Sequence, residues 1–355
     1  MAIQKLEQFE VKSSLTSYKV KISDDLSNLI SDLSECKFYI IDSYFKASSF
    51  VKNLDSKMVL YIDANEEAKT LKSSEVIIDK MTELKISRDS KIAVIGGGII
   101  QDVGGFVSSI YMRGIDYKLY PTTYLSMVDS CIGGKTSINT GKAKNLLGTF
   151  FPPSEVFCFI NFCKTLNTDQ INQGLIEALK ISYAYKDTFE EVFKLCKEKS
   201  HGYLQKISLL SLFSKKMIIE EDEFDMGKRR LLNLGHTFGH SIEKASSHQI
   251  EHGYAVGLGI LIATNYSLKK EYIDNKHNIN KVCIMIISLL PMKVFKIFKD
   301  INIEILFESL KNDKKHNDNL YKFILPYGKH IKEVEFNKNH FDLHDEFETI
   351  IKEIA

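Results

Sequence analysis

Four histidines, His236, His240, His248 and His252, fall within seventeen positions of the segment RRLLNLGHTFGHSIEKASSHQIEHG at 229–253. An even spread of the chain's ten would put about half of one there. His236 and His240 are four apart in a helical pattern and so share one helix face. His252 returns after a polar stretch that can turn the chain back. Neutral imidazoles converging from separate elements suit a divalent transition metal; the competing reading is a surface helix with scattered histidines. Glu177 and Lys180 lie three apart in GLIEALK at 174–180. Such a pair is either a surface ion pair of little energetic worth or part of an inward face. Leu175, Ile176, Ala178 and Leu179 flank Glu177, which favours the inward face, where a buried carboxylate needs a partner and a metal would supply one.

A second group of residues suits phosphate. An apolar run ends in Gly96-Gly97-Gly98, followed by Gln101, Asp102 and Gly104-Gly105. Glycines after a parallel strand let the backbone approach a diphosphate, and the following helix N-terminus favours its charge. The pattern is not GxGxxG, so an ordinary Rossmann fingerprint is absent, and a merely tight turn is the alternative. Further on, GGKT at 133–136 invites a phosphate-loop reading, but Asp129 stands where that loop needs glycine, which excludes a nucleoside-triphosphatase of that type. What remains is Lys135 on a flexible turn near Asp129, and a second lysine turn, GKAKN at 141–145. Ammonium groups and an amide on two such turns can surround phosphate oxygens.

The elements that must position these residues alternate in the first 160 positions. Phe38 to Ile41, Met58 to Ile62, Ile92 to Ile95 and Tyr117 to Tyr120 read as strands, and Glu75 to Leu84 as an amphipathic helix. That order predicts a mainly parallel sheet covered by helices. Beyond about 165 helical periodicity dominates, as in Ile171 to Ala184 and Leu204 to Glu221, with one small strand expected at Lys322 to Pro326. Pro152-Pro153 marks the change. The expectation is an α/β Rossmann-like nucleotide-binding domain over 1–160 and a mainly α-helical domain over 161–355, which carries the metal chemistry.

Composition narrows the class. The chain has 355 residues, 44% apolar and 26% charged, with a net charge of +1. Mixed signs give no reason to expect nucleic acid, and Lys228-Arg229-Arg230 is too short a basic run to act as one. The start, MAIQKLEQFE, has no apolar core like that of a secretory signal. The longest oily run, Cys283 to Met292, is about half a membrane span. Six cysteines without a CxxC pair fit reduced thiols in a cytoplasmic protein and leave any metal to histidine and carboxylate.

Taken together, GGGIIQD, YMRG, PTTYLSMVDSCIGGKTSIN, GKAKN, GLIEALK, LNLGHTFGH and HGYAV occur in the order and spacing of the 3-dehydroquinate synthase family, which this sequence resembles from about 60 to 330. The family belongs to the sugar phosphate cyclases, related to iron-dependent alcohol dehydrogenases. The resemblance implies a zinc (or cobalt) ion held by Glu177, His236 and His252. It implies NAD+ at Asp42, Glu66, Lys69, Gly97, Gly98, Asp102, Thr122, Thr123, Leu125, Asp129, Lys135, Lys144 and Thr165. It places Lys135, Lys144, Asn145, Lys180, Lys215, Arg229, Asn233 and His240 against substrate, with Lys314 or Lys315 reaching the phosphate. Asp129, Lys135, Lys180, Asn233 and His240 are the implied catalytic set. Arg113 matches an arginine donated across a homodimer interface. The implied reaction converts 3-deoxy-D-arabino-heptulosonate 7-phosphate to 3-dehydroquinate and phosphate, through transient oxidation, elimination, reduction and intramolecular aldol closure.

Three positions depart from the family pattern: Gln101 in place of a glycine, Asp225 in place of a glutamate, and Tyr254 beside His252 in place of another glutamate. Two other readings follow the same residues. One is a different sugar phosphate cyclase, acting on sedoheptulose 7-phosphate or a hexose phosphate. The other is a metal-dependent NAD polyol dehydrogenase, against which the lysine and arginine shell argues, since small polyols carry no phosphate.

Overall fold

A computed structural model describes residues 8–141, 143–274, 278–313 and 315–355. Their contacts divide into two compact units. The first holds the described residues up to Ile171 together with Leu204–Phe224, and the second holds Asn172–Tyr203 and Asp225–Ala355.

The first unit is built on a seven-stranded sheet. In chain order its strands and helices are β1 (Gln8–Val11), β2 (Tyr18–Ser23), α1 (Leu26–Leu33), β3 (Phe38–Asp42), β4 (Val59–Ile62), α2 (Leu71–Glu83), β5 (Lys91–Gly96), α3 (Gly98–Ile110) and β6 (Asp116–Pro121). A small hairpin, β7 (Lys135–Ile138) and β8 (Leu147–Phe150), precedes β9 (Glu155–Phe159). The sheet order is β1-β2-β9-β6-β5-β3-β4. Only β1 runs antiparallel to its neighbour; β2, β9, β6, β5, β3 and β4 pair in parallel. Strand β5 reads KIAVIG because a central parallel strand is covered on both faces, and Ile92 through Ile95 are completely buried. The strands expected at 38–41, 58–62, 92–95 and 117–120, and the helix at 75–84, correspond to β3, β4, β5, β6 and α2 to within a few residues at each end.

Between β6 and β7 the chain takes one π-helical turn, Ser126–Ser130. Helix α6 (Tyr203–Glu221) pins it: the Ser211 hydroxyl donates to the Val128 carbonyl at 2.8 Å, and Lys215 reaches Asp129.

The second unit is mainly helical. It contains most of α4 (Thr168–Tyr185), then α5 (Phe189–Glu198), α7 (His236–Ala245), α8 (His252–Lys269), α9 (Ile279–Leu289), α10 (Met292–Lys299), α11 (Ile303–Lys311) and α12 (Leu343–Ile354). The strand expected at 322–326 is the centre of β10 (Leu320–Tyr327), paired antiparallel with β11 (His330–Asn337). Phe238 of α7 stacks on Phe323 of β10 and meets Phe347 of α12 edge-on, so an aromatic layer holds the histidine helix from beneath. Gly235 sits at φ +78°, where a Cβ would lie 2.6 Å from the Val256 carbonyl. Only glycine allows the sharp entry into α7 this close to α8. Among the described residues no helix is long and apolar enough to cross a membrane. The six cysteines are free, five of them buried.

Candidate active site

In the second unit α4, α7 and α8 bring Glu177, His236 and His252 together, with one ligand atom from each within 4.8 Å of the others. The Nε2 atoms of His236 and His252 lie 3.9 and 3.7 Å from Glu177 Oε1. Each imidazole is held from behind through Nδ1. His236 Nδ1 is 3.4 Å from the Leu234 carbonyl, and His252 Nδ1 is 3.3 Å from Glu243 Oε1. Such outer partners orient a ligating imidazole and fix its tautomer. The sequence reading passed over Glu243; its signal is the spacing of three from His240, which places both on one face of α7.

The donor set fits a divalent transition metal. Both Glu177 oxygens are buried and accept no hydrogen bond, and the charge beside them is the Lys180 ammonium, in ion-pair contact with Oε2. Lys180 occupies the Oε2 side, which leaves Oε1, the oxygen facing His236 and His252, for a cation. Ligand atoms around a tetrahedral zinc lie about 3.4 Å apart, close to the spacing found here. Two imidazoles and one carboxylate with an open side are also the composition of a catalytic site. Glu177 and Lys180 are 0% and 1% exposed in their side chains, so the surface ion-pair reading does not hold; the flanking apolar residues turned this face inward.

Electrostatics separates the histidines. Burial, then the charges of Lys180 and the neighbouring imidazoles, holds His236 well below the usual histidine value. His240 is lowered to about 4, first by desolvation of its ring among the surrounding side chains, although the residue keeps an open face to solvent, and then by Lys315 and His252. Burial alone would lower His252 as well, but its bond to Glu243 and the charges of Glu243 and Glu177 outweigh this and raise it. His240 is exposed, its ring 5.5 Å from His236 and 6.0 Å from His252. Arg229 is buried and Asn233 half-buried, both on the short 3-10 turn Lys228–Asn233 that leads to α7. Lys315 is half-buried, 3.3 Å from Asp313 and 3.5 Å from Thr237 Oγ1. Lys314 lies outside the described residues, as does Lys142 of the second lysine turn.

In the first unit the glycine turn forms a cradle. A Cβ on Gly97 would press on Thr123 at 2.8 Å, whereas one on Gly98 would meet nothing within 4 Å. Gly97 caps α3 with no side-chain hydrogen bond, so no cap side chain occupies the helix N-terminus, which suits an anionic diphosphate. The Thr122 N–H donates to the Gly96 carbonyl at 3.1 Å, and half-buried Leu125 leads into the π-helical turn.

Below the cradle Asp102 is 2.7 Å from buried Lys69. Burial raises the Asp102 carboxyl, against the opposing charge of Lys69. Lys69 also donates to Asn145 Oδ1, Asn145 N–H to Asn139 Oδ1 at 2.8 Å, and Asn139 to Glu66 Oε1 at 2.8 Å. Glu66, Lys69, Asp102 and Asn145 therefore belong to one network. Lys215 is buried, its ammonium 2.7 Å from both the Asp129 carboxylate and the Asp129 carbonyl. Lys135 and Lys144 are exposed, Lys135 lying 6.0 Å from the Phe150 ring. Asp42 caps a short turn by accepting from the Tyr44 N–H at 3.0 Å, and Thr165 is exposed and donates to the Phe162 carbonyl. Exposed Arg113 sits at φ 64° beside Met112 at φ 49°.

Comparison with known proteins finds two family matches that meet near residue 171, where the first unit's main segment ends. The 3-dehydroquinate synthase N-terminal family matches residues 59–173, and the 3-dehydroquinate synthase C-terminal family matches 171–316. A 3-dehydroquinate synthase of Campylobacter jejuni strain 81116 is 33% identical over 347 residues, covering 93% of this chain and 97% of the relative. One from Clostridium tetani is 36% identical over 327 residues, covering 90% and 82%. Among solved structures, 2-epi-5-epi-valiolone synthase from Streptomyces hygroscopicus, with NAD+ and Zn2+ bound, superposes with a TM-score of 0.80 at 23% identity, over 97% of this chain and 98% of that one. A 2-deoxy-scyllo-inosose synthase with carbaglucose-6-phosphate, NAD+ and Co2+ gives 0.80 at 20%, over 98% of each. These two show the fold; the identities above 30%, sustained over nine-tenths of the chain, go further. The chain belongs to the 3-dehydroquinate synthase family.

Proposed function

We infer that this protein is a 3-dehydroquinate synthase, a carbon–oxygen lyase that turns 3-deoxy-D-arabino-heptulosonate 7-phosphate into 3-dehydroquinate and phosphate. One observation carries the reading. A chain matching the family in both halves folds its own Glu177, His236 and His252 into one donor set beside a buried lysine.

When bound, NAD+ supplies a reversible hydride acceptor, and a divalent metal (zinc or cobalt) held by Glu177, His236 and His252 supplies Lewis acidity toward a substrate hydroxyl. The residues do the rest. Gly97, Gly98 and the N-terminus of α3 receive the diphosphate of the cofactor. Asp102, fixed by Lys69, anchors that turn, and Asp42, Glu66, Thr122, Thr123, Leu125 and Thr165 complete the cofactor set. Lys180 neutralises Glu177, so a loaded centre keeps the positive charge of its cation and attracts an anionic substrate. Lys135, Lys144, Asn145 and Lys315 suit phosphate oxygens. Arg229, with a planar fork, and Lys215 suit the substrate carboxylate. Asn233 and His240 offer hydrogen bonds to its hydroxyls, and Asp129, held by Lys215, serves the reacting end. In this account the first unit carries the cofactor and the second the metal.

The protein is proposed to work in the cytoplasm as a homodimer in which Arg113 completes the partner's phosphate site. Its exposed position on a left-handed turn beside Met112 and Ile110, both more than 40% exposed, supports that role. The test of function is phosphate release by the purified protein. The heptulosonate phosphate should be turned over far faster than sedoheptulose 7-phosphate, which lacks the carboxylate. Equal or better turnover of sedoheptulose 7-phosphate would assign a different cyclase.

A further inference from the structure

Gln101 is buried, 7% exposed, although it ends in an amide with four hydrogen-bonding sites. It is the fourth residue of α3, and helical side chains lean toward the N-terminus. The amide is thereby carried back over the glycine turn. There Nε2 donates to the Gly96 carbonyl at 3.4 Å, and Oε1 accepts from the Ser130 hydroxyl at 2.8 Å. Gly96 ends β5, and its carbonyl also receives the Thr122 N–H. Ser130 ends the π-helical turn and adjoins Asp129. A π-helical turn is an uncommon backbone form often found at functional sites. From α6 this one is tied by Ser211 and Lys215; from α3 it is tied by Gln101.

We propose that Gln101 is a positioning residue, fixing the glycine turn at 96–98 relative to Asp129 so that a dinucleotide seated on the turn meets the Asp129 carboxylate. The proposal rests on the reading of that turn as the cofactor site. It also assigns a use to a side chain that stands where the family pattern has glycine, and that has no contact with the reacting atoms in this account.

The experiment measures NAD+ affinity of the zinc-loaded protein by titration. It compares the unaltered chain, Gln101→Met, Ser130→Ala and the double variant. Methionine keeps the volume without the amide. Ser130 is exposed, so losing its hydroxyl opens no cavity. Ser130→Ala should weaken NAD+ about fivefold, the worth of one neutral hydrogen bond, and Gln101→Met at least as much. The double variant should be no weaker than Gln101→Met, because both changes remove the same bond. Ser130→Thr, which keeps the hydroxyl, should restore the affinity. Melting temperature without NAD+ records any damage to the fold separately. Unchanged NAD+ affinity in both single variants, or multiplying effects in the double, would overturn the proposal alone. No NAD+ binding by the unaltered protein would overturn the cofactor reading and this proposal with it.

Discussion

His252 presents Nε2 to Glu177 Oε1 at 3.7 Å and is held from behind, through Nδ1, by Glu243 at 3.3 Å. A carboxylate behind an imidazole fixes which nitrogen faces inward and raises the basicity of that nitrogen. Glu243→Gln should therefore weaken zinc binding about 10–100-fold without removing a ligand. Competition against a chromophoric chelator measures this. His236→Ala removes a ligand outright and should lose both zinc and activity. Full zinc occupancy in His236→Ala would show that the ligand set is wrong.

Arg229 tests the carboxylate end of the substrate. A hydrogen bond to a charged group contributes about 1.5–3 kcal/mol, so losing the guanidinium should cost tenfold or more in kcat/KM. Arg229→Ala should show that loss on the heptulosonate phosphate. Arg229→Lys should recover little of it, because an ammonium cannot reproduce the bidentate fork. A variant with unimpaired kcat/KM would remove Arg229 from the substrate shell.

A buried charge cluster elsewhere in the first unit sets an acid limit on stability. Asp32 and Lys118, with side chains 5% and 3% exposed, lie 3.2 Å apart. The Tyr120 hydroxyl donates to Asp32 at 2.6 Å. Burial works to raise the Asp32 carboxyl, but its bonds to Glu155 and Tyr120 and the charge of Lys118 prevail and lower it. Glu155 moves the other way, raised by burial and by sharing a hydrogen bond with Asp32. A folded value below the unfolded one means that ionised Asp32 stabilises the fold above the unfolded value of about 4. That contribution is lost as pH falls through the folded value. Asp32→Asn should cost about 3 kcal/mol at pH 7, the low end for a broken buried pair because Glu35 and Glu155 still face Lys118. In denaturant melts the gap between the two proteins should hold from about pH 7 to pH 5 and close below about pH 4. A gap that widens on acidification would contradict this assignment of charges.

The sheet centre was legible because β5 carries an unbroken apolar run that ends at glycine, as a fully covered strand does, and β6 keeps Tyr117, Leu119 and Tyr120 around Lys118 before it ends at proline. Strand β2 carried a legible signal that went unread. Tyr18, Val20 and Ile22 alternate with Lys19, Lys21 and Ser23, and the first three are buried. Strand β9 could not be placed from sequence, since its partners β2 and β6 are set by tertiary packing rather than by neighbouring residues. The histidine spacing pointed to the cluster of candidate ligands that α7 and α8 bring together, and the apolar neighbours of Glu177 announced its burial. Glu243 was half legible: its spacing of three from His240 puts it on the histidine face of α7, but its bond to His252 is set by the fold. Gln101 was not legible as a supporting residue, since its partner Ser130 lies 29 positions away and its type alone gives no such indication. The π-helical turn at 126–130 likewise depends on Ser211 and Lys215, more than 80 positions later.

The most direct measurement follows three quantities together as the purified, zinc-loaded protein turns over 3-deoxy-D-arabino-heptulosonate 7-phosphate: 3-dehydroquinate, phosphate and NADH. A synthase that returns its hydride within each cycle should release one phosphate for each 3-dehydroquinate, with no net NADH. NADH accumulating in step with product, or phosphate release without 3-dehydroquinate, would contradict the account.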